Sequence, residues 1–243
     1  VKEQWVDEGA IRSEAEAAAG RASADTGRGR RISSDLSPEV ETDLANAAPS
    51  SRTERYRERL TTAADALDRG RYGDARRMVQ PVLRDLPDLA FGHEIAGLAL
   101  YRLGQWRKAI AELELARTLS GTVQHHAVLA DCYRALRRYT EVEALWKELK
   151  EASPEPALMA EGRIVAAGAL ADQGDLAGAL KVMQRATDTP KKPKEYHLRQ
   201  WYVLGDLYDR SGDVVAARRF FGLVASVDAE FADVLERLRS LGR

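Results

Sequence analysis

Apolar and polar positions along this chain follow a rhythm longer than one helical turn. From about residue 56 onward, runs with apolar side chains at helical spacing are broken by short turns. Each turn is followed by an aromatic or aliphatic residue and a second helical run. The turns read Asp68-Arg69-Gly70-Arg71-Tyr72, Arg102-Leu103-Gly104-Gln105-Trp106, Leu136-Arg137-Arg138-Tyr139, Asp172-Gln173-Gly174-Asp175-Leu176 and Arg210-Ser211-Gly212-Asp213-Val214. With Arg137 aligned to the glycines, successive turns lie 34, 33, 37 and 38 residues apart. Five units at this period predict stacked helical hairpins, because one hairpin cannot bury its apolar flank alone.

Local signals agree with that reading. The turn glycines predict a left-handed residue closing the first helix of each pair. Asp175 and Asp213 are placed to cap the helices that follow. Pro87, Pro154 and Pro190 stand where units must end. The extra length of the later units is assigned to the connections 153–156 and 189–194, or to longer helices. Residues 231–241 predict a final amphipathic helix with Phe231, Val234, Leu235, Leu238 and Leu241 on one face. Residues 1–50 lack the repeat and form an N-terminal extension, leaving 51–243 as the solenoid. Within the extension, a weak helix is predicted over 5–19 and a polar linker over 21–35, the least ordered part of the chain. A short helix is expected to follow, with Ser37 as cap, Pro38 in its first turn, and Val40 and Leu44 packing on the first hairpin.

The repeat resembles the tetratricopeptide family pattern of Trp-x2-Leu-Gly-x2-Tyr followed by small and aromatic residues. The last unit carries Trp201, Leu204, Gly205, Tyr208, Ala217, Phe221 and Ala225; the second carries Ala96, Gly97, Gly104, Trp106, Ala109, Leu113 and Ala116. The resemblance covers roughly residues 56–230. It implies an all-α, right-handed α-solenoid of about five hairpins with a C-terminal capping helix. Small residues such as Gly97, Ala130 and Gly205 are expected where helices cross, and Trp106, Trp146, Trp201 and Phe221 beside them.

By the family's register, the first helix of each pair lines a concave groove. The facing residues are then Arg57, Phe91, Glu94, Tyr101, Gln124, Asp131, Arg134, Glu161, Arg199, Tyr202, Asp206 and Asp209. Aromatics among charges imply a non-catalytic scaffold that binds a peptide or helix, with Tyr101 and Tyr202 as anchors removable without loss of helicity. A mild excess of Asp and Glu suits a partner segment of some basic character. The Lys, Arg and Asn set with which some family members grip a C-terminal carboxylate is absent.

Composition narrows the picture further. Hydrophobic residues at 44% and charged residues at 31% fit an ordinary globular chain rich in the helix formers Ala and Leu. The longest apolar or small-residue run, 164–171, is far shorter than the roughly 20 residues of a membrane span. A formal net charge of −1 exerts no global pull on nucleic acid or lipid. One cysteine, no visible leader and an arginine- and alanine-rich composition point to a bacterial, cytoplasmic protein. The initial Val leaves open that the chain is a piece of a longer one.

No catalytic, metal or cofactor site is predicted. His125 and His126 diverge on a helix, His93 and His126 occupy equivalent places in successive units, and all are assigned to packing or capping. Cys132 is read as a buried, inert thiol, and the Asp-rich phrases at 172–175 and 206–213 as caps and solvated charge. A second class of function, RNA or ribosome association, rests on Arg28, Arg30 and Arg31 and on Lys191, Lys192 and Lys194.

Overall fold

The computed structural model describes residues 36–242. The helix expected over 5–19 and the linker with Arg28, Arg30 and Arg31 lie outside the described residues. Among those residues the chain is helical, with no strand. Its helices are α1 (Pro38–Ala47), α2 (Thr53–Asp68), α3 (Tyr72–Asp85), α4 (Ala90–Arg102), α5 (Trp106–Ser120), α6 (His126–Ala135), α7 (Tyr139–Ala152), α8 (Pro156–Asp172), α9 (Leu176–Met183), α10 (Glu195–Arg210), α11 (Val214–Val227) and α12 (Val234–Ser240). They fall in two compact units, one within Arg30–Arg185 and the other including Ala186–Arg243.

In the first unit α1 precedes four helix pairs, α2/α3 to α8/α9, and each helix packs on the next in chain order. The first helices α2, α4, α6 and α8 also touch one another in succession, and no series of second helices packs to the same degree. The core is built from small and aliphatic side chains such as Leu60, Ala63, Ala96, Leu113, Ala130 and Leu149. Ser37 caps α1 by accepting from the Val40 N–H at 3.4 Å, and Leu44 is fully buried beneath it. The second unit pairs α10 with α11, against which α12 packs. Phe231 and Val234 anchor that last helix, whereas Leu235 faces outward and is exposed, so the apolar face is narrower than the spacing suggested.

All five predicted turns form, and all five carry a left-handed residue. Gly70, Gly104, Gly174 and Gly212 have φ between 68° and 84°, and Arg137, the one non-glycine, has φ 58°. An L side chain in that region costs about 1–2 kcal/mol, which glycine avoids at some cost in unfolded-state entropy. Arg137→Gly should therefore raise the stability of the protein by up to about 1 kcal/mol, read as an increase in the urea midpoint. A lower midpoint would mean that the contacts of the Arg137 side chain outweigh its backbone strain. The predicted caps are also present: Asp175 accepts from the Gly178 N–H at 2.8 Å and Asp213 from the Ala216 N–H at 3.0 Å.

The extra residues between the third and fourth turns lie in the helix rather than the connection. Helix α8 has 17 residues against 10 for α6, and only residues 153–155 join it to α7. The extra length before α10 does fall in the loop that holds Pro190 and Pro193.

Candidate functional site

The first helices present a line of polar residues one repeat apart, and in the first unit these residues are tied to each other. Tyr101 at the end of α4 donates its hydroxyl to Asp131 of α6 at 2.9 Å. Asp131 lies 3.6 Å from Arg134, one turn further on. Arg134 in turn reaches α8, donating to Asp172 at 2.7 and 3.2 Å. Gly168 makes room for this reach, since a Cβ there would sit 2.6 Å from the Arg134 guanidinium carbon. Burial by itself would lower the Arg134 pKa, but hydrogen bonding to Asp172 and the charge of Asp131 more than offset it and the guanidinium is held charged. A continuous polar ladder thus runs across α4, α6 and α8.

Several residues expected in the groove belong to this framework. Tyr101 is only 7% exposed, and burial, followed by the Asp131 charge, drives its phenol well above the ordinary tyrosine range. Arg57 spends its guanidinium on Glu41 of α1 at 2.8 Å and on Glu54. Phe91 packs half-buried on the core. Glu94 stands 3.3 Å from His125, Gln124 is exposed just before α6, and Glu161 is half-buried on α8. Of the first unit's candidates, Tyr101, Asp131 and Arg134 are brought together, while Glu94, Gln124 and Glu161 remain at least partly open to solvent.

The second unit repeats the arrangement on α10. Tyr202, also 7% exposed, donates to Asp233, and Asp206 pairs with Arg237, which lies 3.7 Å from Asp209. Burial raises the Asp206 pKa, opposed chiefly by the Arg237 charge. Arg199 is buried. Tyr101 and Tyr202 were expected to anchor a partner and to be removable without loss of helicity. Each ring is buried and each hydroxyl ties its helix to a later one, so alanine at either position removes folding contacts as well as surface.

Glu41 lies 16 residues from Arg57, outside the repeat; of the other partners, Asp233 and Arg237 were not picked out from the chain and Asp172 only as a cap or solvated charge. The signal that would have found them is complementary chemistry close to one repeat away. The separations are 30 residues for Tyr101–Asp131, 38 for Arg134–Asp172 and 31 for both Tyr202–Asp233 and Asp206–Arg237.

Three histidines, His93, His125 and His126, each meet a carboxylate, and His197 accepts from the Lys194 N–H at 2.9 Å. His93 is buried with Nδ1 2.6 Å from Glu112 and Nε2 2.7 Å from the Pro87 carbonyl. His126 is buried with Nε2 3.0 Å from Glu148, which also accepts from Arg117 at 2.8 Å. Arg117 further contacts Glu114, the acceptor of the Tyr133 hydroxyl, whose pKa burial and that carboxylate push up to about 12. Cys132 is fully buried and burial keeps its thiol protonated. The aspartates at 172 and 206 form ion pairs, and those at 175 and 213 cap helices.

His126 gives this network a pH dependence. Burial is the largest influence and lowers its pKa, despite the opposing Glu148 bond, with Arg117 and Glu114 also facing it. With the folded value below the ordinary value near 6.5, the unfolded chain takes up the proton first. Stability is then full above about pH 6.5 and declines as pH falls through the folded value. The urea midpoint should drop between about pH 7.5 and pH 5.5, and His126→Gln should reduce that drop. An identical drop in the variant would place the sensitivity elsewhere, for instance at His197, which burial also lowers.

Lys191, Lys192 and Lys194 lie exposed in the loop before α10, while Arg28, Arg30 and Arg31 fall outside the described residues. No described helix is long and apolar enough to cross a membrane.

The fold is similar to that of a solved protein. The crystal structure of a thermophilic TPR protein from Thermus thermophilus superposes with a TM-score of 0.59 and 17% identity, covering 76% of this chain and 98% of that one. No protein-family model and no curated protein matches the sequence.

Proposed function

We propose that this chain is a non-catalytic scaffold that holds a polypeptide segment against the first helices of its helix pairs. What supports the reading is the polar ladder on α4, α6 and α8, set in the fold of a tetratricopeptide protein. Its internal ties hold the helix backbones in register, and Glu94, Gln124 and Glu161 beside it keep solvent-accessible polar atoms. A surface braced in this way binds without first having to order itself, which lowers the entropic cost of docking. The half-open carboxylates Glu94 and Glu161 favour a partner segment with basic side chains.

Affinity capture with the intact chain, with and without nuclease, tests this. Nuclease-resistant polypeptides should be retained, and Glu94→Arg combined with Gln124→Arg should release them with the helical content unchanged. Capture that nuclease abolishes would favour the RNA reading, and capture indifferent to both substitutions would remove the first-helix face from the account.

A further inference from the structure

Around the first three turns of the first unit, charge is sorted to opposite ends of the helices. The segments around the first three turns, 68–77, 102–108 and 137–141, carry nine arginines and lysines against three carboxylates. The opposite ends, 82–94, 112–126 and 148–161, carry three cations against nine carboxylates. With helices of 10 to 17 residues at 1.5 Å per residue, the two edges stand roughly 15–25 Å apart. That exceeds a Debye length of about 8 Å, so the edges act as separate fields in physiological salt.

The basic edge is joined across its first two turns. Arg102, at the second turn, donates to the hydroxyl of Tyr72, at the first, at 2.8 and 3.0 Å and lies over its ring. The guanidinium groups of Arg71 and Arg107 have no hydrogen-bond or ion-pair partner among the described residues. Among the described residues, Lys108 has only a 3.3 Å contact with Gln105. Between these cations stand apolar side chains open to water: Leu103 is 41% exposed and Trp106 is half-buried.

We infer that this turn edge is a second docking surface, separate from the first-helix face, for an acidic polypeptide segment with interspersed apolar side chains. Its cations match carboxylates, and Leu103 and Trp106 match the apolar positions between them. Two of the aromatic rings along this edge argue against a nucleic-acid strand as occupant. Tyr72 already carries Arg102 over its face at 5.1 Å and Tyr133 carries Arg138 at 4.6 Å, so neither is an open platform for a base.

Fluorescence anisotropy of the full chain at physiological ionic strength tests the inference, with two labelled probes: a peptide of repeated Glu-Leu-Glu units and an oligouridylate of equal charge. The peptide should bind, and the variant Arg71→Glu/Arg107→Glu/Lys108→Glu should bind it about tenfold or more weakly. That variant should melt like the parent, since new carboxylates next to the first turns of α3 and α5 suit the helix dipole. The Gln versions of the same three positions provide an intermediate loss without charge reversal. Glu94→Arg/Gln124→Arg should leave peptide binding intact, which separates this edge from the first-helix face. No peptide binding by the parent, equal binding by the triple variant, or tighter binding of the oligouridylate than of the peptide would each overturn the inference.

Discussion

Phe221→Ala should destabilise the protein by about 3–5 kcal/mol, among the largest single-residue losses expected in the chain. The ring is fully buried on α11 and sits directly against Gly205 of α10, where a Cβ would meet three of its carbons at 2.8 to 2.9 Å. Tyr202 meets it edge-on at 5.4 Å and the Arg237 guanidinium lies over it at 5.4 Å. Removing the ring leaves a void between a glycine that has nothing to extend and a tyrosine and arginine held by Asp233 and Asp206. The site therefore has little means of collapse, and collapse is what separates a mild cavity from a severe one. Urea unfolding checks this directly, and a loss below about 1 kcal/mol would show that the α10/α11 contact is looser than described. The inverse change, Gly205→Ala, should cost about 1–3 kcal/mol through overpacking and should be partly rescued by Phe221→Leu, since the two positions touch.

In the first unit the corresponding crossing predicts that Gly97→Ala lowers stability by about 1–3 kcal/mol. A Cβ on Gly97 would lie 2.7 Å from both Cγ and Cδ2 of Leu113 and 3.2 Å from the Leu113 backbone nitrogen. A side-chain tip could swing aside, but a branch carbon and a backbone atom of the neighbouring helix cannot yield without separating α4 from α5. Gly222, in the middle of α11, supplies the contrast, because nothing lies within 4 Å of a Cβ built there. Gly222→Ala should raise stability by about 0.8–1.0 kcal/mol from helix propensity alone. If both alanines act alike on the urea midpoint, close helix crossing is not what position 97 requires.

Much of this architecture was legible because its signals are local. A left-handed turn residue, an aspartate cap and a helix-ending proline each act within a few residues, so the turns from Gly70 to Gly212 could be read directly. Gly97 and Gly205 were legible through the repeat, which gives small residues at crossings their spacing. Gly92 and Gly162 were not. They face Leu83 of the preceding α3 and Leu149 of α7, between one pair and the next, where no motif marks them. Trp106 and Trp146 were placed beside the crossings in the core, yet both are half-buried, Trp106 against Tyr101 at 5.5 Å and Trp146 under Lys150.

The candidate site was legible in position but not in use. Register correctly assigns Tyr101, Asp131, Arg134, Tyr202 and Asp206 to first helices. It does not reveal that a long side chain at the end of one helix reaches a helix of the next repeat. A tyrosine or arginine with a complementary partner one period away satisfies its polar group internally, because burying it unpaired costs more than the reach. What stays open to solvent is the shorter set of half-open groups beside the ladder.

Amide hydrogen exchange on the intact chain, with and without a captured polypeptide, tests the central reading most directly. Added protection is expected on α4, α6 and α8, centred on Glu94, Gln124, Asp131 and Glu161, with α3, α5 and α7 unchanged. Protection confined to the second helices, or none on the first helices at saturation, would contradict it.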